Sequence, residues 1–319
     1  MRSTATAALL LLVLAAPARG DGLPVLGVDA GYTGVAGGGI RYVTLGNGAR
    51  STTLAAVRRQ AGQVLNARVL PGAFTIPAVA LDGSASGLSA DGRTLVLIRP
   101  RASFPQARTV LAILDVPALR VRRVVRLRGD FSFDAIAPDG RLLYLIQYVS
   151  RTDPTRYVVR AYDVRARRLI SAPVVDPRER GEKMRGLPQT RAASTDGRWA
   201  YTLYDGGGGE PFVHALDTRA ATAVCVDLPQ LAGRADLGRL RLVRKPGKLS
   251  VVAGRGSVVE IDTRTFSVRR PTPRHEATVA RDAGRPWLPV AGVLAAAGAL
   301  AAGALHRRRR VAVAAVRAR

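Results

Sequence analysis

Ala135-Ile136-Ala137-Pro138-Asp139-Gly140-Arg141, followed by the apolar and aromatic run Leu142 to Tyr148, is the stretch on which the fold is read. Asp-Gly is a tight-turn signal, because glycine reaches positive φ without the steric cost that a Cβ imposes. A short apolar run leaving such a turn reads as a strand entered from a hairpin. The same pattern stands on either side. Gly87-Leu88-Ser89-Ala90-Asp91-Gly92-Arg93 leads into Thr94 to Ile98, and Ala192-Ala193-Ser194-Thr195-Asp196-Gly197-Arg198 leads into Trp199 to Tyr204. Self-similarity at a period of about 50 residues marks a repeat architecture.

A second module follows in each repeat. Val110 to Val116, Tyr157 to Val164, Phe212 to Thr218 and Ser257 to Thr263 each close an apolar strand on an aspartate: Asp115, Asp163, Asp217 and Asp262. An aspartate carboxylate accepts hydrogen bonds from the backbone amides just beyond it, so these residues read as turn formers and not as a catalytic set. Another β-rich run comes next: Arg123 to Leu127, Arg168 to Val175, Ala223 to Leu228 and Phe266 to Arg269. Four antiparallel strands in about 50 residues make a propeller blade. Residues 81–130, 131–188, 189–233 and 234–273 each supply one unit. Residues 24–80 supply a degenerate first unit, with Ile40 to Leu45 and Gly46-Asn47-Gly48 as a strand and turn. The expected fold is all-β, a β-propeller of about five four-stranded blades, plus one C-terminal transmembrane helix.

The Asp-Gly-Arg turn with its aromatic strand, followed by a strand closing on Asp-Val or Asp-Thr, resembles bacterial YVTN-type and TolB-like β-propellers over roughly residues 81–270. The resemblance implies the architecture. Related propellers include scaffolds, sensors, lactonases and cofactor-dependent oxidoreductases, so it does not select an activity.

The chain ends carry targeting signals. Arg2, the apolar run Ala7 to Ala15 and the small-residue site Ala16-Pro17-Ala18 read as a signal peptide over 1–18. Trp287 to Leu305 holds no charge and is followed by His306-Arg307-Arg308-Arg309-Arg310. A helix of that length matches a bilayer core of about 30 Å, and the basic flank resists translocation. The expected order is a signal peptide at 1–18, an extracytoplasmic propeller at 19–274, a linker at 275–286, a transmembrane helix at 287–305 and a basic cytoplasmic tail at 306–319. Leu288-Pro289-Val290-Ala291-Gly292 departs from a sortase signal at Ala291 and lies inside the apolar run. Ala291, Ala295, Ala299 and Gly303 share one helical face, the kind that lets membrane helices approach.

The formal charge is +26, and Arg2 with six arginines after Leu305 accounts for seven of those charges, leaving +19 on the exported part. Such a field attracts anionic headgroups or acidic polymers. Export argues against a nucleic-acid partner. Cys225 is the lone cysteine, so no internal disulfide forms, and its apolar surroundings read as a buried, inert thiol. His214 and His275 fall in different units, which leaves no clustered metal ligands. His214 is expected to be hydrogen-bonded within a sheet or solvated. Gly206 to Gly209 precedes a strand and not a helix, so it reads as a flexible hairpin loop and not a phosphate cradle. Asp176 to Lys183 reads as a solvated loop, and Arg19-Gly20-Asp21 as a chance tripeptide. No catalytic, cofactor-binding or metal residue is assigned. The leading expectation is a binding module for a protein or an anionic envelope polymer, tethered to the membrane. The alternative is an exported hydrolase or oxidoreductase with its site in the central channel.

Overall fold

The computed structural model describes residues 34–116, 118–179, 181 and 184–271. They form five antiparallel sheets, each a meander in chain order. The first holds β1 (Val35–Gly37), β2 (Ile40–Gly46), β3 (Ser51–Arg58) and β4 (Val64–Pro71). The second holds β5 (Thr94–Ile98), β6 (Arg108–Asp115) and β7 (Arg120–Arg128). The third is β8 (Phe131–Ile136), β9 (Leu142–Tyr148), β10 (Tyr157–Asp163) and β11 (Arg168–Val174). The fourth is β12 (Pro188–Ala193), β13 (Trp199–Tyr204), β14 (Phe212–Asp217) and β15 (Thr222–Asp227). The fifth is β16 (Arg241–Lys245), β17 (Lys248–Ala253), β18 (Gly256–Asp262) and β19 (Val268–Arg269).

Successive sheets stack face to face, as propeller blades do. The middle strands are apolar on both sides because each sheet meets two neighbours, and successive side chains point to opposite faces. On β9, Leu143 and Leu145 join Val96 and Ile113 of the second sheet, while Tyr144 and Ile146 join Ala200 and Leu216 of the fourth. Equivalent clusters join the first sheet to the second around Leu54, Leu95 and Leu114, and the fourth to the fifth around Leu203, Leu249 and Ile261. The last strands lie at the rim: β4 and β7 are exposed over most of their length.

The repeated turns have visible reasons. Asp91, Asp139 and Asp196 each accept the backbone N–H two residues on, at 3.0, 3.0 and 3.2 Å. Two of their glycines, Gly140 and Gly197, also lie against a neighbouring unit, whereas Gly92 faces open space. Gly140 has φ +71°, and a Cβ there would come within 2.5 Å of Thr94 Oγ1. Asp217 and Asp262 each accept the amides two and three residues on, and Asp163 the amide three residues on, at 2.7 to 3.1 Å. Four residues after each strand-ending aspartate stands a residue of positive φ, and none is glycine: Leu119, Arg167, Ala221 and Phe266. This left-handed residue turns the chain into the outer strand.

The first unit, degenerate in sequence, is a four-stranded sheet as expected, whereas the second, which carries the motif, is corrected from four strands to three named ones. Its first strand is split. Thr75 exchanges two 2.9 Å hydrogen bonds with Ile98, and residues 87–89 pair with β5 through Val96 N–H to Gly87 O (2.8 Å) and Ser89 N–H to Thr94 O (2.9 Å). Between these pieces Pro77 to Ser86 leaves the sheet as a small hairpin, closed by Val79 N–H to Ser84 O at 2.8 Å. Pro77 lacks the donor a strand interior needs, and Gly83 and Gly87 take positive φ, so a continuous strand is not available here. The division drawn between residues 80 and 81 runs through this hairpin.

Residues 1–33 and 272–319 lie outside the described residues, and with them the expected signal peptide, Arg19-Gly20-Asp21, the expected linker with His275, the expected span 287–305 and the expected tail. Among the described residues no helix is long and apolar enough to cross a membrane.

Candidate functional site

The first strands of the meanders face one another across the axis, and two of them are bulged there. Phe133 pairs with Leu145 and Ala135 with Tyr144, so Asp134 is the extra residue of β8. A bulge leaves that residue's carbonyl without its ladder partner. Arg191 of β12 supplies one: its Nη1 donates to Asp134 O at 3.0 Å, and its Nη2 donates to the Asp134 carboxylate. Both side chains are almost wholly buried, 7% and 4% exposed. Gln189 is the extra residue of β12, and its carbonyl accepts from Asp82 N–H at 3.2 Å, beside Leu81 N–H to Pro188 O at 2.9 Å. The 77–86 hairpin therefore reaches from the second sheet to the fourth.

Around this pair the interior is aromatic and closed. Tyr148 takes Arg101 over its ring at 4.8 Å, and Arg101 Nε donates to Asp130 at 3.0 Å. Burial pushes the Tyr148, Tyr157 and Tyr204 hydroxyls above the usual phenol range. Ser132, Asp134, Tyr148, Tyr157 and Tyr204 surround a void of about 20 Å³, room for one water. His214 lies beside Tyr204, with ring centroids 6.4 Å apart. Burial pulls its imidazole down to about 4, and its Nε2 has no hydrogen-bond partner among the described residues. The expectation of a hydrogen-bonded or solvated histidine is thus corrected for Nε2. The phenylalanine and valine that precede His214 on β14 gave no sign that its face meets the axis.

Beside the turns at Asp91-Gly92 and Thr195 to Gly197 a cavity of about 550 Å³ opens, lined mostly by small residues with Leu88, Trp199 and Arg191. Its lining carboxylate, Asp91, is held in its own turn by Ser89 Oγ at 2.6 Å and Arg93 N–H at 3.0 Å.

A different chemistry sits at the rim. Arg122, Arg123, Arg126 and Arg167 line an open groove of about 550 Å³ between β7 and the turn into β11, with Tyr162 at its base and no acidic residue among its lining. Burial raises the Tyr162 hydroxyl above its ordinary range, and the nearby Arg123 and Arg167 charges oppose that shift. A bulge explains the gathering. Ile113 pairs with Arg123 and Leu114 with Val121, which makes Arg122 the extra residue of β7. Before it, Val121 packs toward the first sheet; after it, Val125 and Leu127 pack toward the third. The face assignment flips at Arg122, so the consecutive Arg122 and Arg123 both open on the groove. Arg122 Nη2 donates to Thr94 Oγ1 at 2.9 Å. The ion pairs among the described residues take in Arg120, 3.9 Å from Asp115, but none of the four groove arginines. The sequence signal was the arginine-rich stretch around the β-rich run Arg123 to Leu127, read only as a strand.

Other candidates resolve as local structure. Asp176 is buried and not solvated: its carboxylate accepts from Cys225 N–H at 2.9 Å and pairs with Arg178 at 2.6 Å, tying the loop to β15. Burial works against its ionisation, but Arg178 and two backbone amides outweigh that and hold it at about 2. Cys225 is half-buried, where a fully buried thiol was expected. Its sulfur lies within 4.8 Å of carboxylate oxygens of Asp176 and Glu179. The Asp176 carboxylate is already engaged by Arg178, which disfavours a cation. Gly206 to Gly208, all at positive φ, lie in the hairpin loop between β13 and β14, with Asp205 accepting from Gly207 N–H at 3.0 Å and Leu187 N–H at 2.8 Å.

No protein-family model and no curated protein matches the chain. Similar solved structures include hydrazine synthase of Kuenenia stuttgartiensis, at 13% identity and a TM-score of 0.44 over 78% of this chain and 66% of that one. TolB of Acinetobacter baumannii gives 17% and 0.40 over 73% and 52%. A mitotic checkpoint complex gives 13% and 0.43 over 84% and 73%. The chain spans 66% and 52% of the first two. The description of the fold rests on the sheets and clusters above.

Proposed function

We propose that the chain is a membrane-anchored binding module that holds its sheets outside the cell and captures an anionic envelope polymer through the rim groove. The observation that carries this reading is the set of four groove arginines, with no acidic residue in the groove's lining and none of the four in an ion pair among the described residues. Arginine forks match phosphate and carboxylate oxygens two at a time, and an open groove admits a chain better than a compact substrate. An acidic protein segment would use the same chemistry. The interior supports binding over catalysis, because its charges are ion-paired and its lining carboxylate is held in a turn. The signal peptide at 1–18 and the span at 287–305 would supply export and tether.

The test uses the full chain in mild detergent, with inorganic polyphosphate and poly-glutamate as probes. Binding should weaken steeply with salt, because exposed charges are screened within about 8 Å at physiological ionic strength. Arg123→Ser with Arg167→Ser should weaken it about tenfold or more. No binding at low salt, or binding indifferent to the double variant, would remove the proposal. The tether is checked by fractionation and by protease added to intact cells. Recovery of an unprocessed chain in the soluble cytosol would overturn that part.

A further inference from the structure

The cavity beside the Asp91-Gly92 turn shares no residue with the rim groove. Its volume of about 550 Å³ lies within the range of small-molecule pockets. Three elements wall it: β1 with Val35 and Ala36, the segment 85–92 with Leu88 and Asp91, and β12 with Arg191 and Ala193. The walls are tied to one another. The 77–86 hairpin, whose Ala85 and Ser86 belong to the lining, bonds β12 through Leu81 N–H and Asp82 N–H. Trp199 is braced at the side, with ring centroids 6.1 Å from Tyr201 and 5.3 Å from Phe266. A cavity with braced walls needs little ordering when a molecule enters.

Two polar groups of the lining have bonding capacity left. Both terminal nitrogens of Arg191 are turned to Asp134, one on its carbonyl and one on its carboxylate. Asp134 lines the 20 Å³ void, whereas Arg191 lines the cavity, so the guanidinium stands between the two. Its Nε–H, further back along the stem, is buried and has no hydrogen-bond partner among the described residues. The side chain is 7% exposed, and a buried donor without an acceptor is unfavourable. Asp91 is the second group. Ser89 Oγ and Arg93 N–H both donate to its Oδ1, which leaves Oδ2 as an acceptor.

We propose that this cavity binds an uncharged small molecule carrying an amide. The amide carbonyl accepts from Arg191 Nε–H, the amide N–H or a neighbouring hydroxyl donates to Asp91, and the apolar part rests on Val35, Leu88 and Trp199. Charge selects against ions. The Arg191 charge is already met by Asp134, so an anion gains little from it and is repelled by Asp91. A cation meets the chain's positive excess of +26. An N-acylated sugar and a capped amino acid share this chemistry.

The test takes the full chain in mild detergent and titrates it with N-acetylglucosamine and with N-acetyl-alanine methylamide, read by calorimetry and by saturation-transfer NMR. Saturable binding of one of them at roughly millimolar concentration is expected, and the one that binds names the source. Glucose and acetate should bind at least about tenfold more weakly. Ala193→Phe fills the cavity from an exposed position. It should weaken binding about tenfold or more while leaving thermal unfolding and polyphosphate binding at the rim unchanged. Arg191→Lys keeps a cation for Asp134 but has no Nε–H, and should weaken binding about tenfold. No binding by either amide, binding indifferent to Ala193→Phe, or equal binding of glucose or acetate would overturn the inference. Polyphosphate binding is read separately, so failure here and failure of the rim groove are distinguishable.

Discussion

The axis and the rim of this molecule treat charge in opposite ways. At the axis, Arg101 and Arg191 are buried and each is matched by an aspartate. At the rim, Arg123, Arg126 and Arg167 stand among solvent with no acidic residue in the groove they line. An isolated charge in the interior has lost its water and must find a partner or neutralise, whereas a charge in water needs none. Paired interior arginines therefore join neighbouring sheets, and the rim arginines are the ones the proposed function assigns to a polymer. The lesson extends to edges: charge at the rim also keeps β7 from pairing with a stranger.

The contrast can be broken first at the axis. Arg191→Ala leaves the Asp134 carboxylate buried and alone, and should lower unfolding stability by about 3–5 kcal/mol in urea titrations. Pairing Arg191→Met with Asp134→Leu should recover most of that loss, since the uncompensated charge is gone. If the single variant were as stable as the parent, the axial pair would not be what holds β8 to β12.

His214 tests the same principle through pH. Its folded value of about 4 lies below the unfolded value of about 6.5. As pH falls across that window the unfolded chain takes up a proton that the folded chain refuses. Stability should therefore fall between pH 6.5 and 4, by on the order of 3 kcal/mol, with no contribution from this group above 6.5. His214→Phe should flatten that window in pH-dependent urea titrations. Asp176, held at about 2, then governs the next loss as pH falls below its ordinary range.

Smaller effects sharpen the comparison at the turns and the rim. Gly140→Ala should lose about 2 kcal/mol, from positive φ and from contact with Thr94. Ala221→Gly relieves a left-handed alanine and should gain about 0.5–1 kcal/mol in thermal unfolding. Arg123→Ser with Arg167→Ser should change stability by no more than about 0.5 kcal/mol while removing polyanion binding. A large loss of stability in that double variant would mean the rim arginines are structural after all.

How much of this was legible beforehand depends on range along the chain. The strands Thr94–Ile98, Leu142–Tyr148 and Trp199–Tyr204 follow directly from the Asp-Gly turns before them, within a few residues. The first sheet was harder, because residues 35–71 lack that motif and yet satisfy the same pairing. The 77–86 hairpin belongs to no repeat, and its partners on β12 are more than a hundred residues away. The groove was half visible: the arginine run was on the page, but its gathering on one face needed the bulge at Arg122.

By itself the sequence determined the repeating strand-and-turn unit, because turn geometry and two-residue alternation act between near neighbours. It also determined that no disulfide staples the chain, since Cys225 stands alone. Tertiary structure alone decided which arginines are matched and which are left over. Arg191 meets Asp134 across 57 positions of chain because two bulged strands face each other at the axis. That meeting depends on how whole sheets stack, and short-range pattern carries no information about it.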